Sequence, residues 1–299
     1  MGHTDRMKLA YRLEAWLLRR VLGLFRALGP VRASNFAGGL ARTLGPLLPV
    51  TRVAEANLRM ALAELDAAAR RRVIRGMYEN LGRTIGELPH LAGLAQTASG
   101  PGWEIEGEDI VRSVAEKGGP GIFFSAHFGN WEMLPPVAAK FGVELASMYR
   151  AANNPLVDGM INRLRQNAMG RETLLFPKGS AGARGALAHL ARGGYLGILM
   201  DQKMNDGIAV EFFGRPAMTA PALAALALRF RCPVIPAYVR RIGPARLRVT
   251  CEPPLPLPDT GDRQKDQALL TRAVNERLED WIRATPECWF WLHRRWPKA

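Results

Sequence analysis

The spacing of apolar residues changes about one third of the way along this 299-residue chain. Before residue 100 the apolar positions recur every three or four residues, which predicts a helical region. From Trp103 onward, short apolar runs alternate with helical periods, as in βαβ units that build a largely parallel sheet. The segment "TASGPG" at 97–102 separates the two patterns. We therefore predict an α/β protein in which helices flank a mostly parallel central sheet.

Seven short apolar runs in the second part are predicted strands, and five periodic segments are predicted helices. The predicted strands are 121–126, 144–149, 173–176, 195–200, 209–213, 234–240 and 246–251. The predicted helices are one that begins near Asn130 and the segments 155–169, 182–191, 220–230 and 264–283. In the first part, Thr51 and Asp66 are expected N-caps, because their side-chain oxygens can accept from unpaired N–H groups of a first turn. The stretch at 32–44 is short and rich in small residues, and Pro46 and Pro49 break it.

The N-terminal segment 7–29 combines apolar and basic residues. At about 100° per residue, its basic side chains fall into one narrow stripe, while apolar side chains spread over most of the remaining surface. The stripe consists of Lys8, Arg12, Arg19 and Arg26. Because charges interrupt every long apolar run, none provides the roughly 20 apolar residues of a membrane span. The pattern indicates a helix that lies at a membrane interface and faces anionic headgroups. The alternative is an ordinary amphipathic helix packed on the protein's own core.

The charge balance adds information about partners. The chain has 41 Lys and Arg against 27 Asp and Glu, a net charge of +14, which implies nucleic acid, an anionic membrane surface or an acidic protein as partner. The basic residues are dispersed without a recognised nucleic-acid-binding module, so we expect no nucleic acid. Cys232, Cys251 and Cys288 lie far apart, which fits reduced thiols better than a disulfide framework. The histidines share no ligand spacing, so we expect no metal. We also expect no cofactor.

His127 directly follows the predicted strand 121–126, in the stretch "IFFSAHFGNWE". In open α/β sheets, functional groups gather at the carboxyl ends of strands. Gly129 permits a sharp turn, Asn130 can cap the next helix, and Glu132 can reach back to one imidazole nitrogen. The other nitrogen would then accept a proton, as a general base requires. On spacing alone, the alternative is a histidine at a strand end beside a helix-start carboxylate.

Further polar residues follow neighbouring strands. An arginine at 150 ends its strand and is a candidate clamp for a substrate phosphate, since guanidinium binds phosphate bidentately; the alternative is a solvated arginine. Three polar residues after the strand 195–200 lie at the same sheet edge as His127, where they would orient acceptor groups or support the imidazole. The candidate substrate-binding residues are Asn130, Arg150, Asp201, Gln202 and Lys203.

Five blocks of the sequence resemble, in order, the lipid A biosynthesis lauroyl/myristoyl acyltransferases of Gram-negative bacteria. This family belongs to the glycerolipid acyltransferase superfamily, which carries a His-x4-Asp/Glu box. The blocks are "HFGNWE" (127–132), "MYRAANNPLVDGMINRLRQN" (148–167), "GILMDQKMNDGIAVEFFGRPAMTA" (197–220), "CPVIPAYVRR" (232–241) and "PECWFWLHRRWP" (286–297). The segment "LGRTIGEL" at 81–88 also fits, so the resemblance covers nearly the whole chain.

The resemblance implies a glycerolipid acyltransferase-like fold and acyl transfer without an acyl-enzyme. His127 would act as general base, and Glu132 would hold the imidazole. The donor would be acyl carrier protein or acyl-CoA, and the acceptor a hydroxyl of an anionic lipid A precursor. The alternative acceptor is another membrane lipid, such as a lysophospholipid or an amino-acid lipid. The chain lacks a Glu-Gly-Thr-Arg-Ser type of block, which favours the lipid A branch. A non-catalytic membrane scaffold would give no reason for a His and a Glu at a strand end.

The same resemblance, with the basic N-terminal helix, sets the expected organisation and location. We expect an amphipathic membrane anchor at 1–30, a helical region at 31–100 and a catalytic region at 101–299 that forms a single domain with the preceding helices. The expected location is the cytoplasmic face of the inner membrane, with peripheral or monotopic attachment to its anionic surface.

Overall fold

The chain folds into an α/β structure with a mostly parallel sheet, which confirms the predicted fold class. The computed structural model describes residues 3–149, 151–177 and 179–296. The helices are α1 (His3–Leu44), α2 (Thr51–Ala61), α3 (Ala67–Glu87), α4 (Glu108–Lys117), α5 (Leu134–Lys140), α6 (Pro155–Met169), α7 (Ser180–Ala191), α8 (Ala222–Phe230) and α9 (Arg263–Ala284). The strands are β1 (Gly102–Glu106), β2 (Gly121–Ser125), β3 (Leu145–Tyr149), β4 (Leu175–Pro177), β5 (Tyr195–Leu199), β6 (Ile208–Phe212), β7 (Arg215–Thr219), β8 (Val234–Gly243) and β9 (Arg246–Cys251).

The central sheet has seven strands in the order β1-β9-β8-β2-β5-β3-β4. Neighbouring strands run parallel except β8 and β9, which are antiparallel. In the centre, β2 pairs with β5 so that Ser125 lies opposite Leu199. Residues 127 and 201 follow this pair by two positions each, so the register brings them to the same point of the sheet edge.

Three elements of the structure are not predicted from the sequence pattern: β1, α4 and β7. Strand β7 forms a separate antiparallel hairpin with β6, closed by Phe213 and Gly214. Both residues have positive φ angles, 53° and 68°, as in the two-residue turns that suit the twist of a hairpin. Pro216 within β7 lowers the apparent strand propensity, yet proline is compatible with a two-stranded ribbon that has free edges.

Helix α1 consists of two helical segments, 3–28 and 30–44, that meet at a kink at Gly29. The second segment continues through the small-residue stretch at 32–44, because small residues let it pack closely on α3. A Cβ atom on Gly82 would lie 2.3 Å from the Ala37 carbonyl oxygen, and one on Gly86 would lie 2.6 Å from that of Ala33. The glycines of α3 are therefore contact positions between two helices.

The two expected N-caps behave differently. Asp66 caps α3, since its Oδ1 accepts from the Ala69 amide at 2.6 Å, which confirms that prediction. Thr51 is the first residue of α2 and makes no cap hydrogen bond there; its hydroxyl bonds the Tyr78 hydroxyl at 2.8 Å instead. The N-terminal helices pack on the α/β part through one apolar core, in which Leu58 and Met77 join Phe124 and the other buried residues beneath the sheet.

One side of α1 packs on the protein itself. Ala15 and Leu22 are buried against Val157 and Met160 of α6. A second apolar stripe on the same helix is exposed and has the spacing of one helical face. Its members are Leu9, Leu13, Trp16, Leu17 and Leu24. The helix therefore makes the expected core contact with one face and leaves an apolar face uncovered on another. Within the described ranges, α1 and the other helices lack a segment both long and apolar enough to cross a membrane.

Candidate active site

His127 and Asp201 form a hydrogen-bonded pair at the carboxyl edge of the central sheet. The His127 Nδ1 atom lies 2.9 Å from Asp201 Oδ1, and the His127 backbone N–H donates to Asp201 Oδ2 at 3.1 Å. Asp201 is fully buried, whereas about a fifth of the His127 side chain is exposed. The pair therefore presents an imidazole to the surroundings and keeps its carboxylate partner away from solvent.

The environment of Asp201 keeps it ionised. Burial alone would raise the pKa of this carboxyl, but the charge of His127 and hydrogen bonds from His127 and from Trp289 Nε1 hold the pKa well below its usual range. An ionised carboxylate only accepts hydrogen bonds, so His127 Nδ1 carries a proton. The lone pair of the neutral ring is then on Nε2, the nitrogen that can remove a proton from another molecule.

The segment 286–296 holds the loop that carries His127. The Phe290 amide donates to the His127 carbonyl at 2.9 Å, and the Gly129 amide donates to the Cys288 carbonyl at 2.9 Å. Gly129 has a φ of 59°, and a Cβ atom there would lie 1.6 Å from the Val239 carbonyl oxygen. Only glycine permits this turn at this approach to β8. The loop is thus fixed from two sides.

Aromatic rings limit the motion of the imidazole. The Trp131 ring lies 5.1 Å from that of His127 in an edge-to-face arrangement, and the Phe290 ring lies 6.1 Å away. Such contacts add to the stability of a packed ring pair and restrict rotation about the side chain.

A largely apolar cavity of about 520 Å³ opens beside His127 and runs across one face of the sheet. Its floor follows the register of the strands, in which Phe123, Gly197 and Ser147 stand side by side on β2, β5 and β3. Helices α5 and α6 contribute apolar residues to its wall. Cavities of this size and character bind small apolar ligands. His127 is part of the lining, so an apolar group that fills the cavity comes into contact with the imidazole.

Glu132 does not bond His127, and the prediction that it holds the imidazole is wrong in this respect. Its carboxylate forms a bidentate ion pair with Arg165 of α6, with N–O distances of 2.8 and 2.6 Å. The short 3₁₀ turn at Trp131–Met133 directs Glu132 along the cavity wall instead of back to the ring. Burial would lower the pKa of the Arg165 guanidinium, but the hydrogen bonds and charge of Glu132 raise it, so the group stays cationic. A fixed ion pair therefore lines the cavity, with the Arg165 guanidinium as its positive end.

The remaining candidates have different positions. Asn130 is fully buried and donates from Nδ2 to Glu87 at 2.7 Å; it makes no side-chain cap of the following turn. Gln202 lines the cavity with His127, whereas Lys203 is exposed and is not among the described lining residues. Asp201 contacts His127 and so supports the imidazole, the second of its two predicted roles. Arg150 lies outside the described residues.

Sequence reasoning assigns no role to Arg165 or Trp289, two residues of this site. Both lie within blocks that carry the family resemblance, at 148–167 and 286–297. Membership of these blocks is the one feature of the sequence that could have indicated a role for them. Their contacts with Glu132 and Asp201 span 33 and 88 residues of sequence, respectively. The spacing of residues within a single strand and the helix after it cannot predict pairs that are so far apart in sequence.

An imidazole that is oriented by a buried carboxylate and lies next to an apolar cavity can act as a general base toward an apolar substrate. The chain matches the family model of bacterial lipid A biosynthesis acyltransferases over residues 2–298. It therefore belongs to that family.

Two individual proteins are similar to parts of the chain. A Haemophilus influenzae protein named lipid A biosynthesis acyltransferase is 27% identical over 154 residues, which is 50% of this chain and 45% of that protein. The match thus spans less than half of the relative's length. The crystal structure of a 1-acyl-sn-glycerophosphate acyltransferase from Thermotoga maritima is similar over 80% of this chain and 98% of its own, with 14% identity and a TM-score of 0.36.

Proposed function

We propose that the protein transfers a fatty acyl chain from a thioester of acyl carrier protein, or from acyl-CoA, to a hydroxyl of an anionic lipid A precursor. The observation that carries the proposal is the His127–Asp201 pair at the edge of an apolar cavity. His127 Nε2 removes the proton of the acceptor hydroxyl while the oxygen attacks the thioester carbonyl carbon. The carbon–sulfur bond then breaks, and the leaving sulfur receives the proton from Nε2. Asp201 stabilises the imidazolium that forms between these steps.

Arg165 supplies positive charge to the same cavity. The attack places negative charge on the former carbonyl oxygen, and a fixed cation or hydrogen-bond donor there lowers the barrier. Glu132 holds the guanidinium by two hydrogen bonds, so the orientation of Arg165 is set before substrate binds. In this proposal Glu132 acts on the reaction through Arg165, and Asp201 acts through His127.

The acyl chain of the donor occupies the apolar cavity. Gly197 in the central strand β5 leaves room on the cavity floor between Phe123 and Ser147. A Cβ atom at this position would meet Leu145 at 3.6 Å and Ser147 Oγ at 3.8 Å, both ordinary van der Waals distances. A Cβ atom at 197 therefore fits the strand, and a longer side chain built on it would take up part of the cavity that the acyl chain occupies.

Substitution of Gly197 tests this placement. We expect Gly197→Leu to shift the preferred donor to a shorter acyl chain and to lower kcat/KM for the longest accepted chain about 10-fold or more, as removal of chain-binding volume predicts. The measurement is kcat/KM for a series of acyl carrier protein thioesters with chains of about 8 to about 16 carbons. Gly197→Ala, which adds one methyl group in ordinary contact, is the matched control. An unchanged chain-length profile in Gly197→Leu would place the acyl chain elsewhere.

The exposed apolar stripe of α1 contacts the membrane in this proposal. Basic residues accompany it on the same segment, and Arg20 lies 5.4 Å from the ring centre of Trp16. Apolar side chains that enter the interface beside cations that meet anionic headgroups are typical of helices that lie on a membrane. We place the protein at the cytoplasmic face of the inner membrane, where both the carrier-bound donor and the lipid acceptor are available.

A transfer assay decides the acceptor. Purified protein is incubated with lauroyl- or myristoyl-acyl carrier protein, or the corresponding acyl-CoA, and with either a phosphorylated disaccharide lipid or a lysophospholipid. We expect mass spectrometry to find one added acyl chain on the disaccharide lipid and none on the lysophospholipid. Acylation of the lysophospholipid alone would replace the lipid A assignment with a different membrane-lipid acceptor.

A further inference from the structure

A buried polar cluster fixes the loop 127–130 to the rest of the protein. We call it the Glu87 cluster; it consists of Asn80, Thr84, Glu87, Asn130 and Arg241. Glu87 is fully buried at the end of α3, and the Arg241 side chain on β8 is 9% exposed. Their ion pair is bidentate, with N–O distances of 3.0 and 2.7 Å. The cluster therefore places a paired charge directly behind the catalytic loop.

The Glu87 carboxylate collects donors from three parts of the fold. Besides Arg241, it accepts from Asn130 Nδ2 of the loop at 2.7 Å and from the Ala245 amide at 3.3 Å. It also accepts from the Ser34 hydroxyl, on the second segment of α1, at 2.7 Å. One carboxylate thus joins the N-terminal helices, the sheet and the loop of His127.

Arg241 extends the cluster to a second point of the loop. Its guanidinium donates to the Asn80 side-chain oxygen and, at 3.3 Å, to the Thr84 hydroxyl. These two residues in turn donate to the Gly129 carbonyl oxygen, Asn80 at 3.1 Å and Thr84 at 3.3 Å. The loop is consequently held at Gly129 through its backbone and at Asn130 through its side chain.

We propose that Glu87 and Arg241 are positioning residues for catalysis, which fix the loop so that His127 faces the acceptor hydroxyl. The inference rests on the proposed acyl transfer. Glu87 and Asn130 are fully buried and do not line the cavity among the described residues, so they act through His127 and not on substrate. A buried charge pair is costly to desolvate and adds little net stability over apolar packing, but its hydrogen-bond directions define one geometry. A displacement of about 1 Å in a catalytic group can lower a rate about 100-fold.

This assignment gives a role to the segment "LGRTIGEL" at 81–88, which carries Thr84 and Glu87. It also makes the N-terminal helices part of the catalytic unit, because α3 provides three members of the cluster and α1 provides Ser34. The N-terminal helices then have two roles: α1 contacts the membrane, and α1 and α3 together hold the loop of His127.

Asn130→Ala is the most direct test, because it removes the bond between Glu87 and the loop and leaves the Glu87–Arg241 pair in place. We expect kcat to fall about 10- to 100-fold with the KM for lauroyl-acyl carrier protein and for the phosphorylated disaccharide lipid unchanged. A rise in KM at constant kcat would identify Asn130 as a substrate contact and overturn the proposal. A kcat within twofold of the parent protein would overturn it as well.

Glu87→Gln tests the carboxylate itself, and Asp266→Asn is its matched control. Asp266 is also a buried carboxylate, but it bonds Thr260 at the start of α9. Both variants are expected to unfold at a lower temperature, whereas only Glu87→Gln should lower kcat. A loss of kcat in Glu87→Gln no larger than in Asp266→Asn would reduce Glu87 to a purely structural residue.

Hydrogen exchange of the loop separates this inference from the proposed function. Amides of 127–130 should exchange faster in Asn130→Ala and Glu87→Gln than in the parent protein, while Asp266→Asn leaves them unchanged. Unaltered exchange in both cluster variants overturns the positioning role, whether or not acyl transfer is observed. An active Asn130→Ala beside an inactive His127→Ala overturns this inference alone, and absence of transfer by the parent protein overturns the proposed function.

Discussion

His127→Ala should abolish acyl transfer, with a loss in kcat of about 10²- to 10⁴-fold, because His127 is the one imidazole among the described residues that line the cavity and is the proposed base for the acceptor hydroxyl. The measurement is the initial rate with lauroyl-acyl carrier protein and the phosphorylated disaccharide lipid. The imidazole is partly exposed and packs edge-on against Trp131, so its loss leaves the core of the sheet intact. The variant should still fold, but at a lower unfolding temperature, because the buried Asp201 carboxylate loses its imidazole partner.

Membrane attachment is the control for this variant. The apolar stripe of α1 is unchanged in His127→Ala, so the variant and the parent protein should co-sediment equally with vesicles of phosphatidylglycerol and phosphatidylcholine. Near-normal activity in His127→Ala would exclude the general-base role. Failure of both proteins to bind the vesicles would instead contradict the membrane contact of α1.

Asp201→Asn should lower kcat by about 10³- to 10⁴-fold, although it changes few atoms. An ionised carboxylate accepts from His127 Nδ1 and fixes the tautomer with the lone pair on Nε2, whereas an asparagine amide can donate to Nδ1 and favour the unreactive tautomer. A proton NMR signal of the His127 Nδ1–H should be present in the parent protein and absent in Asp201→Asn.

Glu132→Gln is the matched control, because it removes a neighbouring carboxylate that bonds Arg165 and not the imidazole. Its activity should also fall, through the loss of a fixed Arg165, but the Nδ1–H signal should persist. A signal that disappears in Glu132→Gln and survives in Asp201→Asn would reverse the roles of the two acids.

The difference between these acids shows what spacing can and cannot predict. The sequence suggests Glu132 as the partner of His127 because the two residues are only five positions apart. Asp201 lies 74 residues away, and its partnership depends on β5 being the sheet neighbour of β2. The order of strands in a sheet is a tertiary property, since non-local pairing decides it. The sequence pattern predicts that His127 and Asp201 lie at the same edge, but it does not single out Asp201 from Gln202 and Lys203 as the residue that supports the imidazole.

The bounds of a helix are predicted correctly where the capping, starting and ending residues in the sequence all indicate the same bounds. Helix α6 matches its predicted bounds at both ends, because Asn154 caps it through the Leu156 amide, Pro155 begins it and Gly170 ends it with a positive φ. The course of α1 through its small-residue stretch depends instead on the opposing glycines of α3. That partner surface cannot be inferred from the stretch itself.

The contacts of the segment 286–296 have a consequence for synthesis. Of the described residues, this segment leaves the ribosome last, yet it supplies Trp289 to Asp201 and Phe290 to the backbone of His127. The strands that precede His127 and Asp201 can assemble earlier in translation, but Asp201 then lacks its hydrogen bond from Trp289 and the loop lacks its hydrogen bond from Phe290. The geometry of the His127–Asp201 pair is therefore completed only after every strand of the central sheet has been made.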